Sequence, residues 1–284
     1  MQALAEPAGR LAALREELAK VPAFFRRDLL VLLSYRAAFV SEWANLFVQI
    51  LLFYFVSRIV PSSALPRFGG RPVTYIEFVT VALILTTFMQ VSLSRLVGVV
   101  QREQLMGTLD SLFVTPTAPI TFMFGSVAYD LLNVPIRTAV FMLIAGGLLG
   151  VDFNLAGLLP TAMILLVFLP FTWGIGVISA ALVLMFKRGS GSLGIAVTLL
   201  ILGSGAYFPV EYFPPWVQTL TQGNPVTIAL DAARHALLGS ADWSTIWSSV
   251  LALAPMAVAS LALGTWVFRL ALRRERRRGT MGMY

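Results

Sequence analysis

Six stretches of the chain, roughly 37–60, 75–100, 120–150, 155–186, 192–208 and 246–270, are almost continuously apolar. A helix needs about 20 such residues to cross a hydrocarbon layer about 30 Å thick, and these segments approach or exceed that length. No water reaches a backbone N–H in hydrocarbon, so each segment must close its own hydrogen bonds as a helix. The expectation is an all-α integral membrane protein with six transmembrane helices. Composition agrees: of 284 residues, 58% are hydrophobic and only 12% charged, about half the charge of a soluble domain. Such a chain cannot both fill a core and cover a water-facing surface. The third and fourth stretches are long enough to tilt, whereas the fifth is short and stops at Pro209.

An even number of spans puts both termini on one side, and the basic residues choose which. Sixteen fall on the side of the termini: Arg10, Arg15, Lys20, Arg26, Arg27 and Arg36, then Arg95 and Arg102, then Lys187 and Arg188, and finally Arg269, Arg273, Arg274, Arg276, Arg277 and Arg278. Four, Arg58, Arg67, Arg71 and Arg234, fall on the other, and Arg137 lies inside the third stretch. By the positive-inside rule both termini are cytoplasmic, in a plasma (inner) membrane. The net charge of +7 then reflects topology and contact with anionic lipid, not nucleic-acid binding. Residues 1–36 are mixed in charge and lack the apolar core of a secretory signal. Within them, 22–35 interleave Phe24, Phe25, Leu29 and Leu30 with Arg26 and Arg27, the pattern of an amphipathic helix lying on the membrane surface or of an ordinary soluble helix. Residues 37–272 form the six-span domain and 273–284 a basic cytoplasmic tail.

Two connections stand out. In the cytoplasmic segment 101–116, Leu105, Leu109 and Leu112 make one apolar stripe on a short helix that Thr115-Pro116 ends. Gly107 sits inside it at a cost of about 1 kcal/mol relative to alanine; it marks either a close approach of another surface or an incidental position in a solvated linker. On the external side, 203–239 break the fifth span with Pro209, Pro214 and Pro215 and continue in apolar pieces too short to cross. Irregular backbone at that depth is tolerated only against protein or a cavity, which suggests re-entrant or interfacial helices over 209–238. Tyr207, Phe208, Tyr212 and Phe213 there are gate candidates or members of an aromatic belt.

Glu103, Gly107-Thr108-Leu109-Asp110, Leu112 and Thr115-Pro116 resemble the loop between spans two and three of the type 2 ABC transporter permeases, E-x-x-x-G-T-L-[ED]-x-L-x-x-T-P. Asn224-Pro225 after a proline-rich break is similar to their external re-entrant helix pair. The resemblance implies that 101–114 is a coupling helix whose Glu103, Gly107, Thr108, Leu109, Asp110 and Leu112 contact a separate ATPase subunit. It also implies two copies of that ATPase, which holds ATP and Mg, and a second permease subunit, identical or similar, completing a dimer. The external helices would help to close the conduit.

The chain lacks the residues for chemistry of its own. It has no cysteine, one histidine, His235, and no G-x-x-x-x-G-K-[ST] around its two lysines, Lys20 and Lys187, so metal clusters and a phosphate-cradling loop are not expected. Two charges at membrane depth, Asp130 and Arg137, lie seven apart on one face with Pro135 between them; they pair with each other or across the bundle, holding a kinked helix, or contact a polar substrate headgroup. Glu42, Glu77 and Arg95 lie near span ends and are expected to snorkel. Thr80, Thr86, Thr87, Gln90, Ser92 and Ser94 make the second span polar, through interhelical hydrogen bonds or a conduit wall. The reading is a non-enzymatic permease of an ATP-driven exporter for an amphipathic, drug-like or lipid-like substrate. Export of a lipid-linked polysaccharide is the alternative, and an ion-coupled carrier or a scaffold without ATPase the reading from another class.

Overall fold

The computed structural model describes residues 36–105, 135–136, 138–186, 190–240 and 242–278. Among these the fold is helical, with no strand and one isolated antiparallel bridge between Phe68 and Arg71. The helices are α1 (Arg36–Ser57), α2 (Tyr75–Leu105), α3 (Thr138–Leu149), α4 (Leu158–Phe186), α5 (Ser190–Leu202), α6 (Pro215–Gln222), α7 (Pro225–Leu238) and α8 (Trp243–Arg278). The surface helix expected within 1–36 lies outside the described residues, apart from Arg36, as do 106–134 and the end of the tail, 279–284.

Two stretches among the described residues are long and apolar enough to cross a membrane, Leu155–Phe186 and Trp243–Arg274. Three further apolar helices, Ala44–Ser57, Tyr75–Gln90 and Thr138–Leu149, are shorter. The fifth expected span is shorter than its sequence suggested. Helix α5 ends at Leu202, seven residues before Pro209, because the chain turns through Gly203–Gly205 with Gly205 at φ +75°, a left-handed backbone that glycine adopts without penalty.

The core is built from α2, α4 and α7, with Phe78, Leu83, Met89, Ile164, Phe168 and Leu230 fully buried. The non-spanning helix α7 is therefore an internal element and not a surface one: Val226, Ala229, Leu230, Ala233 and Leu237 are buried, and Asp231 and His235 look outward. By contrast Phe47, Leu52 and Phe55 of α1, Ile195 and Leu199 of α5, and Leu251, Val258 and Trp266 of α8 are exposed. Apolar surface spread over three helices is costly in water and is the ordinary outer face of a protein solvated by lipid.

Helices α4 and α8 meet at very short range. A side chain at Gly174 would overlap the Ser260 hydroxyl and backbone, and one at Gly264 would lie 2.7 Å from the Gly174 carbonyl. Ser260 and Gly264 are a small-xxx-small pair, the spacing that lets two backbones approach where lipid removes the hydrophobic drive between helices. The approach lets the Ser260 hydroxyl donate to the Phe171 carbonyl at 3.0 Å.

The starts of α2 and α7 are capped by the residues that precede them. Thr74 opens α2 as a capping box: the Glu77 carboxylate accepts from the Thr74 N–H at 2.6 Å and its hydroxyl at 3.0 Å. Glu77 is buried and also takes Arg71 at 2.7 Å, so it is paired inside the protein and does not snorkel as expected. Asn224 accepts from the Val226 N–H at 3.0 Å with Pro225 in the first turn. Its amide reaches back to the Leu200 carbonyl at 2.8 Å, joining the end of α5 to the start of α7.

Gly174→Leu should lower the apparent melting temperature in detergent by several degrees, the effect of an overpacking penalty of about 1–3 kcal/mol. Gly194→Leu, where a side chain meets open space, should leave it unchanged. Glu77→Ala should destabilise more than Arg71→Ala, since it removes the acceptor of Thr74 as well. The double variant should melt below Glu77→Ala by less than the full Arg71→Ala effect, because the Arg71–Glu77 bridge is lost in both while Arg71 also donates to the Asp152 carbonyl.

Candidate functional site

Three connections, 58–74, 150–157 and 203–242, gather at one end of the bundle. The Arg71 guanidinium donates to the Asp152 carbonyl at 3.3 Å, and the Tyr212 hydroxyl to that of Ala64 at 3.0 Å. The Asn154 N–H donates to the Leu237 carbonyl at 2.7 Å and its amide to that of Gly239 at 2.9 Å, so one residue answers carbonyls at the end of α7 that the helix leaves open. Between 68–71, 152–154 and 238–240 lies a cavity of about 300 Å³. His235 stands beside it with its ring edge-on to Phe68 at 5.2 Å.

The centre of this end is Arg234. It is 2% exposed, and an isolated cation there would be very costly. Its Nε donates to the Phe78 carbonyl at 3.3 Å, and its Nη2 to the carbonyls of Gly205 at 3.1 Å and Ala206 at 3.0 Å. The guanidinium carbon lies 3.5 Å from the centroid of the Phe78 ring, a cation–π contact. Asp231, one turn earlier and half exposed, is 3.8 Å away. Burial lowers the Arg234 pKa to about 9, against the opposing pull of Asp231, so the group remains a cation at neutral pH. Sequence placed Arg234 among the arginines of a loop; it is an internal cross-link among α2, the break after α5, and α7. The signal was present: an arginine among the mostly apolar residues 226–238 with an aspartate three residues before it.

The four aromatic gate candidates divide between anchored and outward positions. Tyr207 is half-buried, stacked on Phe53 at 5.5 Å with planes 7° apart, and its carbonyl accepts from the Tyr75 hydroxyl at 3.1 Å. Phe208 is exposed. The Tyr212 ring is exposed while its hydroxyl holds the 61–65 turn. Phe213 is half-buried, and its carbonyl accepts from Gln218 at 2.8 Å. In the polar second span, Thr80 and Thr86 face the interior and Gln90 faces outward. Thr86 donates to its own helix at the Leu83 carbonyl, 3.3 Å, and the Thr80 hydroxyl is buried without a hydrogen bond.

The remaining candidates lie elsewhere. Residues 101–105 are the last turn of α2, which includes the backbone of Glu103. Gly107, Thr108, Leu109, Asp110 and Leu112 lie outside the described residues, as do Asp130 and Arg137. Among the described residues no three of His, Cys, Asp and Glu come together as metal ligands would.

The family profile described as ABC-2 type transporter matches residues 20–238, a range that contains the motif Glu103–Pro116 and the whole of α7. The chain is 27% identical over 180 residues to the probable multidrug ABC transporter permease YbhR of Escherichia coli strain K12, covering 62% of this chain and 46% of that protein. It is 28% identical over 187 residues to the inner membrane transport permease YhhJ of the same strain, covering 63% and 46%. The match thus spans about half the length of these relatives. With more than half of its residues inside the family profile, this helical membrane protein belongs to the ABC-2 type transporter family.

Proposed function

We propose that the chain is the transmembrane permease subunit of an ATP-driven exporter that moves an amphipathic, drug-like or lipid-like substrate outward. It crosses the inner membrane six times with both termini cytoplasmic and works as a dimer with an identical or similar permease. Two copies of a separate ATPase bind ATP and Mg, and the coupling helix 101–114 docks on them. The observation that carries this reading is the course of α2. It starts at the loop end with Tyr75 and ends with Leu105, about 45 Å away at about 1.5 Å per residue. The motif Glu103–Pro116 therefore begins at the far end of the helix from the loops. The names of the curated relatives, a multidrug permease and an inner membrane transport permease, support the same class of activity.

The mechanism follows from linkage. Closure of the ATPases on ATP displaces the coupling helix, with Gly107 as the point of close approach, and this biases the packing of helices that line the dimer interface. The external helix pair α6–α7, with Tyr207, Phe208, Tyr212 and Phe213 at its entrance, closes the outer end. Asp130 and Arg137 pair within the third span.

Gly107→Arg should abolish copurification of the ATPase and reduce ATP-dependent export by at least about tenfold, with the permease still monodisperse; unchanged export would refute the docking role. The chain has no cysteine, so single thiols report topology directly. In intact cells an impermeant maleimide should label Ser63→Cys and Ser240→Cys but reach Thr280→Cys only after lysis; the reverse pattern would overturn the orientation. Stimulation of ATP hydrolysis by a panel of lipids, drugs and lipid-linked glycans tests the substrate class.

A further inference from the structure

Arg234 joins three pieces of chain that separate in sequence but meet at the loop end. It grips α2 at the Phe78 carbonyl and ring, the break after α5 at the carbonyls of Gly205 and Ala206, and carries both from the middle of α7. Just beyond the break, Tyr207 is held to the same end of α2 through the Tyr75 hydroxyl. Packing alone does not require a cation here, because a buried ionic group is often replaceable by an apolar one of similar volume. What an apolar residue cannot do is answer carbonyls from two segments with one rigid fork of donors.

We propose that Arg234 is a positioning residue for transport: it fastens the 203–206 break and α7 to α2, so that displacement of α2 at its coupling end moves the aromatic entrance at Tyr207 and Phe208 with it. The proposal rests on the permease reading above. It makes α2 the rod and Arg234 the joint. Loss of the joint leaves ATP hydrolysis running while the outer end stops responding, whereas damage to a purely structural residue depresses both together.

The test uses the full chain with its ATPase in phospholipid nanodiscs, with an environment-sensitive fluorophore on Glu211→Cys, an exposed position close to the entrance. Arg234→Gln should keep hydrolysis within about twofold of the parent and reduce the ATP-driven fluorescence change by about tenfold or more, with Arg234→Lys in between because it keeps the charge but not the fork. A parent-like fluorescence change in Arg234→Gln, or a parallel fall of hydrolysis and response, overturns the proposal. Failure of the permease reading looks different: the parent complex itself would show neither hydrolysis nor response. Hydrogen exchange on the permease alone then decides the joint. Arg234→Gln should speed exchange at 76–82 and 203–210 together, and unchanged exchange at both refutes it.

Discussion

A helix that stops inside an apolar bundle leaves carbonyls that no water can reach, and the architecture of the loop end depends on how they are answered. Helix α5 stops at Leu202, and the carbonyls of Gly205 and Ala206 accept from Arg234. The open carbonyls of α7 accept from Asn154, and that of Leu200 from Asn224. Asn154 comes from the 150–157 connection, Asn224 from the turn before α7 and Arg234 from α7 itself, so satisfying the breaks also binds these segments to one another. This is how the fourteen-residue α7, too short to cross a membrane, is held at a defined place.

The opposite problem governs the long helices. Their backbones are internally satisfied, and lipid is as good a solvent for leucine as another helix is. Helices α4 and α8 therefore pair through shape, with Gly174, Ser260 and Gly264 allowing backbone contact and one side-chain hydrogen bond to Phe171. The outer faces of α1, α5 and α8 remain apolar and exposed. Close pairing on one side and satisfied breaks at the end tie α2, α4, α7 and α8 into one packed bundle.

Much of this was legible in the residues. Among the described residues, apolar length located the helices and proline located the non-spanning region. The motif at Glu103–Pro116 pointed to the family that the profile over 20–238 identifies. What misled was reading charge by position along the chain. Glu77 looked like a residue near a span end and is a buried cap paired with Arg71; Arg234 looked like a loop charge and is the most enclosed cation described. Pro209 drew attention as the helix breaker, yet the left-handed turn at Gly205 ends α5 earlier.

The sequence by itself determined the helical class, the kind of solvent around it and the family, because these depend on local quantities: runs of apolar residues, spacing along one helix, and contiguous motifs. Only the tertiary structure decided which polar groups are partners. Arg234 and Phe78 are 156 residues apart, and Asn154 and Gly239 are 85 apart. Nothing local to either member marks such a pair, since the pairing arises from where the helices end in space and which carbonyls that leaves without a donor.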